Sequence, residues 1–92
     1  MNIAICDDDN KICSQIENIL LKYSNRNCLK LQVDVFFSGE SLLSYIAQGH
    51  SYDLVYLDIE MGVINGVEVG RQIRKVIKDY TTEIVYISGK DG

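Results

Sequence analysis

The sequence contains no proline, no tryptophan and only three cysteines, Cys6, Cys13 and Cys28. An odd number of cysteines without metal-type spacing predicts reduced, mostly buried thiols rather than a disulfide framework. No apolar run approaches the roughly 20 residues of a membrane-spanning helix. The N-terminal segment MNIAICDDDN has no basic region, so it does not have the pattern of a signal peptide. These absences predict a cytoplasmic protein with no membrane partner.

Positive charge is also scarce. Nine lysines and arginines stand against 13 aspartates and glutamates, which gives a net charge of −4, and the basic residues form no cluster. Because phosphate contacts need concentrated positive charge, we expect this chain to bind no nucleic acid. The single histidine, His50, lies in the polar segment QGHSYD and is expected to be an ordinary surface residue. The length of 92 residues predicts one globular domain, residues 1–92.

Short apolar runs alternate with helical patterns along the chain. The runs predict strands at residues 2–6, 31–37, 53–58 and 83–88. Three sets of apolar residues predict the core-facing sides of three helices: Ile12, Ile16, Ile19, Leu20 and Tyr23; Leu42, Leu43 and Ile46; Val69, Ile73, Val76, Ile77 and Tyr80. Ser38-Gly39 marks the start of the second helix, and Asn65 with Glu68 forms a capping-box-like start for the third. This β-α-β-α-β-α-β order predicts an α/β fold with a parallel sheet.

The pattern of polar and apolar residues in each strand predicts its position in the sheet. Polar Gln32 and Asp34 alternate with apolar residues in the second strand, which is typical of a sheet edge. The other three strands are nearly continuous apolar runs, as expected for strands covered on both faces. The predicted order is therefore 2-1-3-4, although the fourth strand, central by texture, then has no second neighbour. We expect either a truncated chain or an edge that pairs with another molecule.

Carboxylates follow two neighbouring strands of this predicted sheet. The first strand leads into Asp7, Asp8 and Asp9, and the third ends in Asp58. Ligands of open parallel sheets bind beyond the carboxyl ends of the strands, where the strand order reverses, which places these groups together. Carboxylates that close repel one another, and a hard cation such as Mg²⁺ would relieve this. With Ser88 as a hydroxyl donor after the fourth strand, the set suggests phosphoryl transfer to Asp58.

Three motifs in order carry a family resemblance: ICDDDNK (5–11), FFSGESLL (36–43) and YLDIEMGVINGVEVGRQIR (56–74). Together they resemble the receiver domain of bacterial response regulators, most closely the LytTR type, and the similarity runs over the whole chain. The resemblance implies a flavodoxin-like, doubly wound fold. It also implies two-component signal transduction and transcription regulation rather than an enzyme activity.

The resemblance assigns a role to each matching position. Asp58 would accept a phosphoryl group from a sensor histidine kinase. Asp8 would bind Mg²⁺ directly, Asp7 would be its acidic neighbour, and Glu60 would offer its backbone carbonyl to the metal. Ser88 would supply the hydroxyl that turns toward the phosphoryl group. Gly66 matches the glycine of the loop that opens the third helix, and Asp9 is expected to start the first helix.

Two features depart from the family pattern. Gly62 stands where the family usually has proline, so the loop after Asp58 should be more flexible. The sequence also stops at Gly92, before the last helix-strand-helix of a full receiver, which carries a lysine that pairs with the phosphoryl group. Lys90 is the nearest lysine and a poor substitute. The alternative reading is therefore a phosphorylation-dead, receiver-like module that forms a homodimer through its exposed fourth strand.

Two other readings of the acidic segment are weaker. Asp7 and Asp9 have the D-x-D spacing of haloacid-dehalogenase-like phosphatases, but the chain is too short for that fold and Asp58 would be unexplained. A calcium loop fails because Lys11 occupies a ligand position and the required glycine is missing.

Overall fold

The computed structural model describes residues 1–87, so Ser88 and Lys90 lie outside the described residues. The elements in chain order are β1 (Asn2–Cys6), α1 (Asn10–Arg26), β2 (Gln32–Phe36), α2 (Gly39–Ala47), β3 (Leu54–Asp58), α3 (Gly66–Lys75) and β4 (Glu83–Ile87). All paired strands are parallel, and the sheet order is β2-β1-β3-β4. The predicted flavodoxin-like fold and strand order are confirmed. No helix within residues 1–87 is long and apolar enough to cross a membrane.

The main core lies between the sheet and helices α2 and α3. Side chains alternate between the two faces of a strand, so Ala4 and Cys6 of β1 share a face with Val55 and Leu57 of β3, their partners in register. All four are buried. They pack with the buried side chains of the two helices and adjoining loops: Leu42, Ile46, Tyr52, Met61, Val69 and Ile73. This packing fixes the β1 and β3 ends that carry the acidic residues.

Side-chain caps start all three helices as the sequence predicted. Asp9 accepts a hydrogen bond from the Lys11 backbone N–H (2.8 Å), and Ser38 accepts one from the Ser41 N–H (3.2 Å). Asn65 accepts one from the N–H of Glu68 (2.9 Å). The capping box at α3 is only half formed, because the Glu68 carboxylate instead pairs with the Arg71 guanidinium.

The predicted end of the third helix was wrong. Helix α3 ends at Lys75, and Val76 (68% exposed) and Tyr80 (71% exposed) are not core residues. The cause lies downstream, because the Asp79 side chain accepts hydrogen bonds from the backbone N–H groups of Thr81 and Thr82. These bonds stabilise a turn that competes with a continued helix.

Two further expectations need correction, those for the packing of α1 and of the fourth strand. On α1 the buried stripe is centred on Cys13, which leaves Ile19 and Tyr23 exposed on its flank. The expectation of mostly buried thiols is confirmed, because Cys6 and Cys13 are buried, while Cys28, which follows the end of α1 in a left-handed turn (φ 54°), is exposed. Strand β4 lies at the edge of the described sheet, as the predicted order requires, but it is less covered than its apolar run predicts, since Val85 and Tyr86 are 41% and 45% exposed.

Candidate metal centre

Adjacent strand ends deliver three carboxylates to one place. Cys6 of β1 pairs in register with Leu57 of β3, so the residues that follow them, Asp7 and Asp58, emerge side by side. Asp7, Asp8 and Asp58 each offer a carboxylate oxygen, and these oxygens all lie within 4.8 Å of one another. Asp7 and Asp58 are only 1% and 5% exposed, whereas Asp8 is exposed. Two of the three carboxylates are therefore fixed by burial, and the cluster is open to solvent on the side of Asp8.

One of the two carboxylate oxygens of Asp7 lacks a hydrogen-bond donor among residues 1–87. Its Oδ1 accepts a hydrogen bond from the backbone N–H of Asp9 (2.9 Å). Its Oδ2 is buried and has no hydrogen-bond partner among residues 1–87. A buried carboxylate oxygen left without a donor is costly, and a bound cation would satisfy it. The all-oxygen donor set fits a hard ion such as Mg²⁺.

The electrostatics of Asp7 support the same conclusion. Burial raises the pKa of Asp7 from 3.8 to about 6; the Asp9 N–H opposes this shift, and the carboxylates of Asp58 and Asp8 add to it. At neutral pH the metal-free cluster thus concentrates negative charge that disfavours its own ionised form. A divalent cation would reverse this balance, since it stabilises the ionised carboxylates.

The backbone around Asp58 holds the carboxylate in place. The N–H of Glu60 donates to Asp58 Oδ1 (3.0 Å). The next residue is tied on both sides, because Ile59 donates its N–H to Ile87 O of β4 (2.8 Å) and its carbonyl accepts from the N–H of Gly66 (3.0 Å). The aspartate at the end of an apolar strand is therefore pre-positioned before any ligand binds.

The other predicted site residues lie around Asp58 or beyond the described part of the chain. The backbone N–H of Glu60 contacts Asp58, while the predicted role of its carbonyl as a metal ligand stays a prediction. Ser88 lies outside the described residues. Gly66, which matches the loop glycine of the family pattern, lies directly against the backbone of Asp58.

Sequence reasoning missed the sulfur-lined floor next to the site. The Cys6 thiol lies 3.6 Å from the thioether sulfur of Met61 and 3.4 Å from the carbonyl oxygen of Ser38. Burial, followed by the nearby Cys13 and acidic groups, raises the pKa of Cys6 to about 12, so this thiol stays protonated. The alternation of strand β1 indicates that Cys6 points inward, but no sequence pattern pairs it with Met61.

A small cleft adjoins the carboxylates. It has a volume of about 210 Å³, and its lining includes Asp8, Phe37, Met61 and Val63. Phe37 and Val63 are exposed. The cluster therefore meets solvent beside an apolar rim, a surface that a partner presenting a reactive group could contact.

A family model and curated relatives of the chain point to the same family. A family model described as response regulator receiver domain matches residues 3–92. Stress response regulator protein 1 of Scheffersomyces stipitis is 36% identical over 75 residues, which cover 80% of this chain and 24% of that protein. Response regulator ArlR of Staphylococcus saprophyticus is 34% identical over 88 residues, which cover 96% of this chain and 36% of ArlR. The chain thus spans about a quarter to a third of the length of these two relatives.

Solved structures share the same architecture. Response regulator TrrA from Thermotoga maritima, in complex with Mg²⁺-BeF, is 32% identical with a TM-score of 0.79, covering 98% of this chain and 70% of that one. The N-terminal domain of a response regulator/sensory box/GGDEF protein from Carboxydothermus hydrogenoformans is 25% identical with a TM-score of 0.83. That match covers 100% of this chain and 67% of the other.

Proposed function

The chain belongs to the response regulator receiver domain family, and from this premise we propose that Asp58 accepts a phosphoryl group from a sensor histidine kinase. The observation that carries the proposal is the convergence of Asp7, Asp8 and Asp58 within 4.8 Å at adjacent strand ends. In this proposal the three carboxylates hold Mg²⁺, and the Glu60 carbonyl adds a further oxygen ligand. The hydroxyl of Ser88 donates to a phosphoryl oxygen.

The proposed step is a single displacement. A carboxylate oxygen of Asp58 forms a bond to phosphorus while the bond from phosphorus to the donor's imidazole nitrogen breaks, and the nitrogen keeps the electron pair. The Glu60 N–H orients the Asp58 carboxylate for this attack. The buried carboxylate of Asp7 lies next to that of Asp58. When bound, Mg²⁺ supplies positive charge that offsets both the carboxylates and the phosphoryl oxygens.

The biological role follows from the family. We propose a signal-receiving domain of a cytoplasmic two-component regulator, rather than an enzyme with its own substrate, whose parent protein regulates transcription. The motifs around Asp7, residues 36–43 and Asp58 support the LytTR type. The net charge of −4 and the lack of a basic cluster support a chain that does not itself bind nucleic acid.

Intact-mass measurement after incubation with acetyl phosphate and Mg²⁺ tests the phosphoacceptor. We expect one phosphoryl adduct on the wild-type chain and none on Asp58→Asn or without Mg²⁺. Glu83→Gln is the matched carboxylate-to-amide control and should react like wild type, because Glu83 is exposed at the start of β4, at the opposite end of the sheet from Asp58. An adduct that persists in Asp58→Asn would place the acceptor elsewhere.

A second candidate function is supported by the exposure of β4. Val85 and Tyr86 are 41% and 45% exposed on a strand at the edge of the described sheet. Unpaired strand edges can pair with another chain, so a homodimer through β4 without phosphorylation is the alternative. Light scattering after size exclusion separates the two readings, since the alternative predicts a dimer that Val85→Lys dissociates and no acetyl phosphate adduct. A wild-type monomer would eliminate it.

A further inference from the structure

A second cleft lies at the end of the sheet opposite to the carboxylate cluster. It has a volume of about 290 Å³ and lies where β1 and β2 begin and where the loop after α2 returns to β3. Its polar and aromatic lining comes from Asn2, Gln32, Asp34, Tyr45, His50 and Tyr52. Among residues 1–87, Asp34 is the only acidic residue that lines the cleft, and no lysine or arginine lines it. The cleft thus combines one negative charge with ring systems.

The Asp34 carboxylate is held in a fixed position. Asp34 is half-buried in the middle of β2, and the Tyr52 hydroxyl donates to its Oδ2 (2.7 Å). Burial, and then the bond to Asp34, raises the pKa of the Tyr52 hydroxyl well above its usual range, so it remains a donor. The other oxygen, Oδ1, accepts no side-chain or backbone hydrogen bond from residues 1–87. One carboxylate oxygen thus remains available to a ligand.

Aromatic rings form the wall beside this carboxylate. The rings of Tyr45 and His50 stack with centroids 3.6 Å apart and planes 5° from parallel. Tyr52 lies 6.5 Å from Tyr45, and Phe36 lies 5.5 Å from it on the core side. The faces of aromatic rings attract cations, and the Asp34 carboxylate adds the attraction of an opposite charge. His50, which the sequence predicts to be an ordinary surface residue, is exposed but packs on Tyr45.

We propose that this cleft binds a small organic cation, an alkylammonium or guanidinium group, between the Asp34 carboxylate and the Tyr45–His50 ring stack. The cleft size is at the lower end of small-molecule sites, which suits a compact ligand. A metal ion is disfavoured because the cleft offers a single carboxylate. Within residues 1–87, the one set of three or more acidic, histidine or cysteine groups close enough to share a metal ion is Asp7, Asp8 and Asp58. The proposal is independent of phosphorylation at Asp58.

Amide NMR spectra of the ¹⁵N-labelled chain, titrated with ethylguanidinium chloride, test the proposal. We expect saturable shifts at residues around the cleft, with a dissociation constant on the order of 1 mM. Ethylurea has the same shape without the charge, and with sodium chloride at equal ionic strength it should give no saturable shifts. Asp34→Asn should weaken binding at least tenfold. The matched Glu83→Gln should not change it, because Glu83 lies on β4, at the other edge of the described sheet from β2. Binding that survives Asp34→Asn overturns the proposal.

A second variant keeps the test informative if Asp34→Asn fails to fold. Tyr45→Leu removes the ring face and should weaken ethylguanidinium binding about threefold, while Tyr80→Leu, at an exposed loop tyrosine, should have no effect. A second probe, a short arginine peptide, distinguishes a cation carried by a partner protein from a free small molecule. If acetyl-Gly-Arg-Gly-amide binds like ethylguanidinium, a partner's arginine can fill the cleft; if only the free cation binds, the ligand is a free small molecule. Both results support a cation site, and binding of neither probe overturns it.

Discussion

The α-carbon of Gly66 lies directly against the main chain of Asp58. A Cβ atom built on Gly66 would be 2.1 Å from the Asp58 carbonyl oxygen and 2.8 Å from its carbonyl carbon. Those are backbone atoms, so a side chain could be accommodated only by moving the end of β3 or the start of α3. The residue that opens α3 therefore sets how closely the helix approaches Asp58.

Gly66→Ala should destabilise the protein by about 2–4 kcal/mol, because the new methyl group overlaps backbone that cannot move freely. Urea unfolding of the wild type and the variant measures this difference. Gly62→Ala is the matched control, since a Cβ there meets nothing within 4 Å. It should be neutral or stabilising by up to about 1 kcal/mol. Equal losses in the two variants would refute the close-approach explanation.

Asp7→Asn should separate the effect of the carboxylate cluster on folding stability from its effect on Mg²⁺ binding. Without metal, the variant should be more stable than wild type by about 1–2 kcal/mol at pH 7, since it removes a buried charge from beside Asp58. Addition of millimolar Mg²⁺ should raise the melting temperature of wild type but not of the variant. A variant that is still stabilised by Mg²⁺ would show that Asp7 is not needed for metal binding.

The pH dependence of the metal-free protein should follow Asp7. Its pKa in the folded chain is about 6 against 3.8 for an ordinary aspartate, so the folded state binds this proton more tightly than the unfolded state. The Asp7 contribution to stability is therefore present below about pH 4 and is lost as the pH rises through about 6. Urea unfolding from about pH 4 to pH 7 should show this loss in wild type and not in Asp7→Asn. Parallel profiles would contradict the assignment.

Thiol labelling should distinguish the three cysteines. Cys28 is exposed, whereas burial raises the pKa of Cys6 to about 12 and that of Cys13 to about 11. Because the thiolate is the reactive form, iodoacetamide at about pH 8 should modify Cys28 roughly 100-fold faster than the other two, or more. Peptide mass mapping over time measures the rates, and the differences should vanish in urea. Comparable labelling of Cys13 in the folded protein would indicate that the α1 packing is wrong.

The strand order and the carboxylate cluster were the features best predicted from the sequence, because they depend on local chemistry and on the alternation of polar and apolar residues along strands. The apolar β1 and β3 runs and the polar positions Gln32 and Asp34 determined the strand order. The position of Asp7 and Asp58 at strand ends then placed the cluster. Each of these signals is local, and the structure confirmed the strand order and the convergence of the carboxylates.

The parts it missed depend on contacts between distant segments. Val76 and Tyr80 continue the apolar period of α3, but hydrogen bonds from later residues to the Asp79 side chain end the helix. Ile19 is apolar at helical spacing, yet its burial depends on how α1 is rotated over the sheet. The bond between Tyr52 and Asp34 joins residues 18 positions apart and has no signature in the sequence.

The hydrogen bond from the Ile59 N–H to Ile87 links the residue after Asp58 to β4, the edge strand of the described sheet. Edge strands exchange their amide hydrogens faster than central ones, since they open in smaller and less costly fluctuations. When β4 frays, the residue next to Asp58 loses one of its two anchors. Any contact that clamps β4 would then slow amide exchange at Ile59 and narrow the motion of the aspartate. Such a contact would restrain Asp58 without touching its side chain.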